Sequence, residues 1–337
     1  MSETPPEARS LTDSWQLAHL LIPNRVVLAP LAGIGNWFVR LQAKRYGAGL
    51  AVSEMVSSHG VHYGNDKTCT EMLRIDPAER AGGPVSIQLF GQEPEVMRSA
   101  AASVAAAGAD LIDLNMGCPV PKVCKTGAGA ALLDDPDTAV AVALAAREGS
   151  GLPVTVKLRS GRLAGAIDGF DLAHRLVAEA GVAAIGFHPR SAQVHHKGAP
   201  DLELARELVA SLPAPVILSG GMNDPETIRH AFEHTGCEAV MLARGALGNP
   251  WLFARLLGTR DGEPTPAEVL AELDWVMDRA VEHLGARRGG RYLRKFYPWY
   301  VDRLGGSKAL QAALQATDSV GEARAVLAGV GELSAVA

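Results

Sequence analysis

Eight times between residues 26 and 247 the chain repeats a short apolar run, a turn bearing Gly or Pro, and an Ala/Leu-rich helical segment. The runs are VVLAPLA (26–32), LAVSEMV (50–56), PVSIQLFG (84–91), LIDLNMGCP (111–119), PVTVKLR (153–159), AIGFHPR (184–190), PVILSGG (215–221) and AVMLARGAL (239–247). Their starts lie 24 to 42 residues apart, the span of a strand, a loop and a crossover helix. Near-continuous apolar runs mark strands covered on both faces. Between them, PEVMRSAAASVAAAGAD (94–110) and FDLAHRLVAEAG (170–181) space their apolar residues as helices do and stop at Gly. An open doubly wound sheet uses the same units, but eight similar ones in succession fit closure better, so the expected fold is a TIM (β/α)8 barrel.

The pattern breaks after WLFARLLG (251–258), at the polar TRDGEPTPAE (259–268), and only helical patterns follow. The reading divides the chain into a barrel domain, 1–258, and a small helical domain, 259–337. A length of 337 residues and a hydrophobic content of 47% allow a large core and argue against disorder. No run of about 18 uncharged apolar residues appears, and the opening MSETPPEARSLTDSWQ is polar and acidic. A soluble cytoplasmic protein without a membrane partner is expected. The net charge of -5 gives no whole-chain preference for nucleic acid, so a polyanion would have to meet a local basic patch. Four scattered cysteines, Cys69, Cys118, Cys124 and Cys237, fit neither a disulfide scaffold nor a zinc motif.

Loops at the carboxyl ends of barrel strands build the active site in such folds. Here those ends carry Pro30, Glu54, Gln88, Asn115 with Cys118, Lys157, His188 with Arg190, Gly220-Gly221 and Arg244-Gly245. The paired glycine turns SGGM (219–222) and ARGALGNP (243–250) feed helices after the last two strands, where backbone N–H groups receive a phosphate. Arg244 adds a charged donor; singly, each turn reads as no more than a turn. Gln88 and Lys157 end apolar strands and should point into the barrel mouth. A fixed amide and ammonium suit a flat heterocycle such as a flavin, while the alternative for Lys157 is an ion pair with Asp113 or Glu54. Cys118 sits in a polar Gly/Pro/Lys loop, where a thiol serves as general acid or nucleophile; the other three cysteines read as core. His188, His195 and His196 invite a metal, but no carboxylate completes a familiar ligand spacing, and none is assigned. In the tail, Arg287, Arg288, Arg291, Arg294 and Lys295 precede Phe296, Tyr297, Trp299 and Tyr300. That pairing reads either as an RNA-gripping surface or as a solvated face over core aromatics.

Taken in order, LAPLAGIGN (28–36), IQLFGQEPE (87–95), DLNMGCPVPKVCKTGAGAALL (113–133), VTVKLRSG (154–161), SGGMNDPE (219–226), LARGALGNPWLF (242–253) and RKFYPWYVDRLGGSKALQ (294–311) closely resemble the tRNA-dihydrouridine synthases. The resemblance runs from about residue 20 to 312. It implies an FMN-containing barrel with a C-terminal helical domain that uses NADPH to reduce chosen tRNA uridines to 5,6-dihydrouridine. Carried over by motif, Cys118 protonates C5 while reduced flavin delivers hydride to C6. Gln88, Lys157 and His188 would contact the flavin ring, with Pro30, Leu31 and Ala32 packed beside it. Gly220, Gly221, Arg244 and Gly245 would hold its phosphate. Asn115 would position the uracil, and Arg190, Arg291, Arg294 and Lys295 would contact the RNA.

One stretch departs from the family pattern. Where His-Gly-Arg-Thr followed by a further Arg is common, this chain has His188-Pro189-Arg190-Ser191-Ala192, and His195-His196 stand where an aromatic is frequent. The rival readings are a small-molecule FMN barrel, of the dihydroorotate dehydrogenase or ene-reductase kind, and a non-catalytic RNA-binding protein. The first has no need of the tail, and the intact Cys118, Lys157 and His188 argue against the second.

Overall fold

The computed structural model describes residues 9–334, with side chains to residue 329; the first eight residues of the polar opening and the last three lie outside the described residues. Ten strands form: β1 (Trp15–Leu17), β2 (Leu20–Ile22), β3 (Val26–Leu28), β4 (Leu50–Ser57), β5 (Val85–Phe90), β6 (Leu111–Asn115), β7 (Val154–Arg159), β8 (Ala184–His188), β9 (Val216–Ser219) and β10 (Ala239–Leu242). The last eight are the eight expected runs. They pair in parallel in chain order, and β10 closes the ring by pairing with both β9 and β3. Proline in the first turn and an aspartate N-cap begin the helices Pro136–Ser150 and Pro225–Thr235, where Asp135 and Asp224 accept from Thr138 N and Thr227 N.

Alternation along each strand sorts the apolar residues into two cores. Ile87, Leu89, Ile112, Leu114, Val156 and Leu158 face outward and pack with the surrounding helices. Val27, Leu50, Val52, Leu111, Ala184, Ile217 and Met241 fill the barrel interior. The sequence reading missed β1 and β2, an antiparallel hairpin whose Trp15, Leu17 and Ile22 complete that interior core. Three-residue strands joined through Ala18, at φ 53 without a glycine, carry little sequence signal.

The tail contains the helices Pro266–Leu293, Tyr297–Arg303, Lys308–Ala316 and Val320–Ser334, the first broken at Gly285 (φ 75, ψ 164). It seats on the helix Trp37–Arg45. Phe38 lies 6.3 Å from Tyr292 and 6.2 Å from Phe296, ring centre to ring centre. Buried Glu272 accepts from Gln42 Nε2 at 2.8 Å and from Tyr46 Oη at 2.7 Å. Barrel helices and tail therefore share one apolar core, across the composition break at 259–265.

Candidate active site

At the carboxyl ends of the strands a pocket opens whose lining includes Pro30, Ala32, Gln88, Asn115, Cys118, Lys157, His188, Gly220, Gly221 and Arg244. Sequence parity explains the polar lining. Gln88, then Asp113 and Asn115, then Thr155, Lys157 and Arg159, occupy alternate positions on one face of β5, β6 and β7, inside the barrel. Neighbouring strands are in register there, Gln88 beside Asp113 and Asn115 beside Lys157. A register shift in β4 between Val52 and Met55 lets Met55 join the lining.

A chain of hydrogen bonds fixes these groups. Thr155 Oγ1 and Gln88 Nε2 each donate to the Asp113 carboxylate at 2.6 Å, and Asn115 Nδ2 donates to Gln88 Oε1 at 2.9 Å. Asn115 Oδ1 in turn accepts from the Cys118 backbone N at 2.9 Å, so Asn115 holds the cysteine loop in place. Lys157 Nζ donates to Ser219 Oγ at 2.8 Å. The ion pair with Asp113 or Glu54 left open by the sequence is not formed; Glu54 instead accepts from Gly33 N at 2.9 Å.

Electrostatically the pocket lining carries cations and no carboxylate, although buried Asp113 acts on Lys157 from behind Gln88 and Thr155. Lys157, Arg159, Arg190 and Arg244 make no ion pair among the described residues, while burial pushes the Asp113 carboxyl up to about 6. Burial and the neighbouring Arg159 push Lys157 down to about 8. Burial, with Lys157, Arg159 and Arg190 close by, drives His188 down to about 2. Arg190 Nη1 donates to His188 Nε2 at 3.2 Å, which leaves the proton of the neutral ring on Nδ1. Burial raises the Cys118 thiol above its ordinary value. Such a concentration of positive charge requires an anion to offset its self-repulsion.

Several expected residues stand elsewhere. Leu31 is buried on the outer side, in a separate small apolar cavity with Leu28 and Phe296, so it does not pack in the pocket as Pro30 and Ala32 do. Gly245 sits behind Arg244, against the backbone of Met222 and Asn223. Arg190 lies behind His188, with Nη2 on Gly198 O at 2.7 Å. The tail cations are dispersed: Arg291 and Arg294 share Asp318 at 3.5 and 2.9 Å, Arg288 binds Glu71 at 2.7 Å, and Lys295 donates to Gly33 O at 3.0 Å. Phe296, Tyr297 and Tyr300 are buried, so they belong to the core and offer no stacking surface.

Arg159 and His196 are lining residues to which the sequence reading gave no role in the pocket. Arg159 donates to the carbonyls of Gly117 (3.1 Å), Ser191 (3.1 Å) and His195 (2.6 Å), tying the cysteine loop to the loop after β8. Its parity with Lys157 was the available signal. His196 lines the pocket and stacks on His188, ring centres 6.0 Å apart, while His195, at φ 54, faces a neighbouring groove.

A family model described as dihydrouridine synthase matches residues 27–332. The chain belongs to the dihydrouridine synthase family. Within that family its relatives include proteins named tRNA-dihydrouridine synthase B. The one from Xanthomonas axonopodis pv. citri is 35% identical over 296 residues, covering 85% of this chain and 86% of its own. The one from Pseudomonas aeruginosa is 33% identical, covering 88% and 91%. Among solved structures, morphinone reductase in complex with tetrahydroNAD aligns with this family member at a TM-score of 0.54 and 17% identity, over 78% of this chain and 94% of its own. Histamine dehydrogenase from Rhizobium sp. 4-9 aligns at 0.60 and 14%, over 74% and 48%. At such identities the likeness shows the barrel fold.

Proposed function

We propose that this family member is an FMN-dependent tRNA-dihydrouridine synthase of the cytoplasm, using NADPH to reduce the C5=C6 bond of chosen tRNA uridines. The observation that carries the reading is a thiol, Cys118, kept protonated by burial at the edge of a cationic pocket that lacks acids. FMN fits that pocket. Its phosphate supplies the charge that Arg244 and its neighbours require, and Gly220 and Gly221, at φ 106 and 76, form a turn with no side chain in the way. Gln88, Lys157 and neutral His188 would hold the ring, and Gly220, Gly221 and Arg244 the phosphate, with Gly245 behind them allowing close packing.

Held by these residues, FMN would supply the hydride for C6 of the uracil, with NADPH as its source. The chain's own contribution is the proton. Asn115 fixes the Cys118 backbone, and Arg159 clamps the preceding Gly117 carbonyl, so the thiol is held in one place. Its raised pKa keeps the proton on sulfur at neutral pH until carbanion character develops at C5, which then takes it. The nearby Arg159 charge favours the thiolate left behind, and solvent returns the proton. Exposed Arg291 and Lys295, with partly buried Arg294, supply the tail's share of phosphate contact, with Arg190 serving through His188.

The test is anaerobic. NADPH should bleach the flavin, and tRNA lacking dihydrouridine should restore its colour while dihydrouridine appears. Cys118→Ala should bleach equally but form dihydrouridine at least about a hundredfold more slowly. Bleaching that tRNA leaves unreversed would assign a small-molecule reductase instead.

A further inference from the structure

Five large apolar side chains stand exposed among the described residues, and four of them lie on loops at the catalytic end: Tyr63, Val120, Leu163 and Ile167. Val120, Leu163 and Ile167 belong to the loops after β6 and β7. Those loops bound a groove walled by Pro119, Pro121, Lys125, Arg162, Leu163 and His195. Pro119 also lines the catalytic pocket, so the groove continues it on the side of Cys118. Leu163 is 61% exposed, which soluble surfaces tolerate singly but rarely in a cluster beside a site. The groove carries uncompensated positive charge: Lys125 has no ion-pair partner among the described residues, whereas Arg162 is paired with Asp134 at 2.9 Å.

We propose that this groove receives the RNA nucleotide adjoining the target uridine, its base against Leu163 and the two prolines and its phosphate at Lys125. The proposal rests on the tRNA-reducing function above. A uridine that reaches Cys118 has left its stack, and the face of its neighbour's base is bared by the same step. A strand leaving the pocket past Pro119, the wall common to both cavities, meets in this groove an apolar surface and an unpaired ammonium. An apolar face together with a cation matches a base and its phosphate. The clamp from Arg159 to Gly117 and His195 ties the groove's two banks at a fixed separation, so the nucleotide finds it formed.

Leu163→Asp and Lys125→Ala, both surface changes, test this with an unmodified tRNA transcript. Binding is measured by titration at several salt concentrations, and dihydrouridine formation and NADPH bleaching are followed separately. Leu163→Asp should weaken transcript binding about tenfold and raise KM in parallel, with flavin content and NADPH bleaching unchanged. Lys125→Ala should lower the slope of log affinity against log salt by about 0.7, the loss of one single-strand phosphate contact. Unchanged binding in both variants would overturn the proposal. Slowed NADPH bleaching with unchanged transcript binding would overturn it too, and give the groove to the dinucleotide reductant. Because binding is read apart from turnover, a wild-type protein that binds the transcript without reducing it would sink the proposed function while still testing the groove.

Discussion

His188 shows how one side chain records its surroundings. Its imidazole is neutral because burial and three nearby cations oppose protonation, and its proton affinity in the folded state falls to about 2 from an unfolded value near 6.5. Between those values the unfolded chain binds the extra proton, so the contribution of His188 to stability is complete above pH about 6.5 and is lost as pH falls toward 2. Asp113, raised to about 6, works the other way: its contribution grows as pH falls from about 6 toward 4. Comparing variants separates the two. The thermal midpoint of flavin-free His188→Gln should fall less steeply from pH 6.5 to 4.5 than that of the wild type; parallel curves would show that His188 carries no such penalty. Chemistry-bearing residues such as Cys118, Lys157 and His188 were legible because polar groups that end apolar strands have only the barrel mouth to point into. Arg159 was missed although its parity matched. The partners of Arg291 and Arg294 were illegible, since Asp318 comes from another turn of the tail.

Among elements, the turn after β9 is the most sharply specified. Gly220 has φ 106, and a Cβ there would stand 2.5 Å from the His188 ring. Gly220→Ala therefore meets both a backbone conformation that alanine resists and a clash with a ring already pinned by Arg190. Purified Gly220→Ala should be colourless, or bind added FMN at least about tenfold less tightly than wild type, as judged by fluorescence titration; full flavin content would remove the turn from the cofactor site. The eight barrel strands could be read from the chain because burial on both faces writes a continuous apolar run. Leu31 shows the limit of that reading. It lies between two lining residues, yet the turn in which its carbonyl accepts from Gly35 N at 2.7 Å sends its side chain outward.

Across the whole molecule, the break at 259–265 reads as a boundary, yet the apolar contacts ignore it: Phe38 from the first barrel helix packs among Tyr292 and Phe296 of the tail. Local composition reports a change of pattern, not which faces later meet. The hairpin β1–β2 has a consequence of its own. Trp15, Leu17 and Ile22 plug the end of the barrel opposite the pocket, so among the described residues the reaction chamber opens only at the carboxyl ends of the strands. Reductant and RNA must use that opening by turns, the spent nicotinamide leaving before the nucleic acid enters. Initial rates measured against NADPH at several fixed tRNA concentrations should therefore give parallel double-reciprocal lines, with each reactant inhibiting competitively against the other at excess; intersecting lines would mean that both are admitted together.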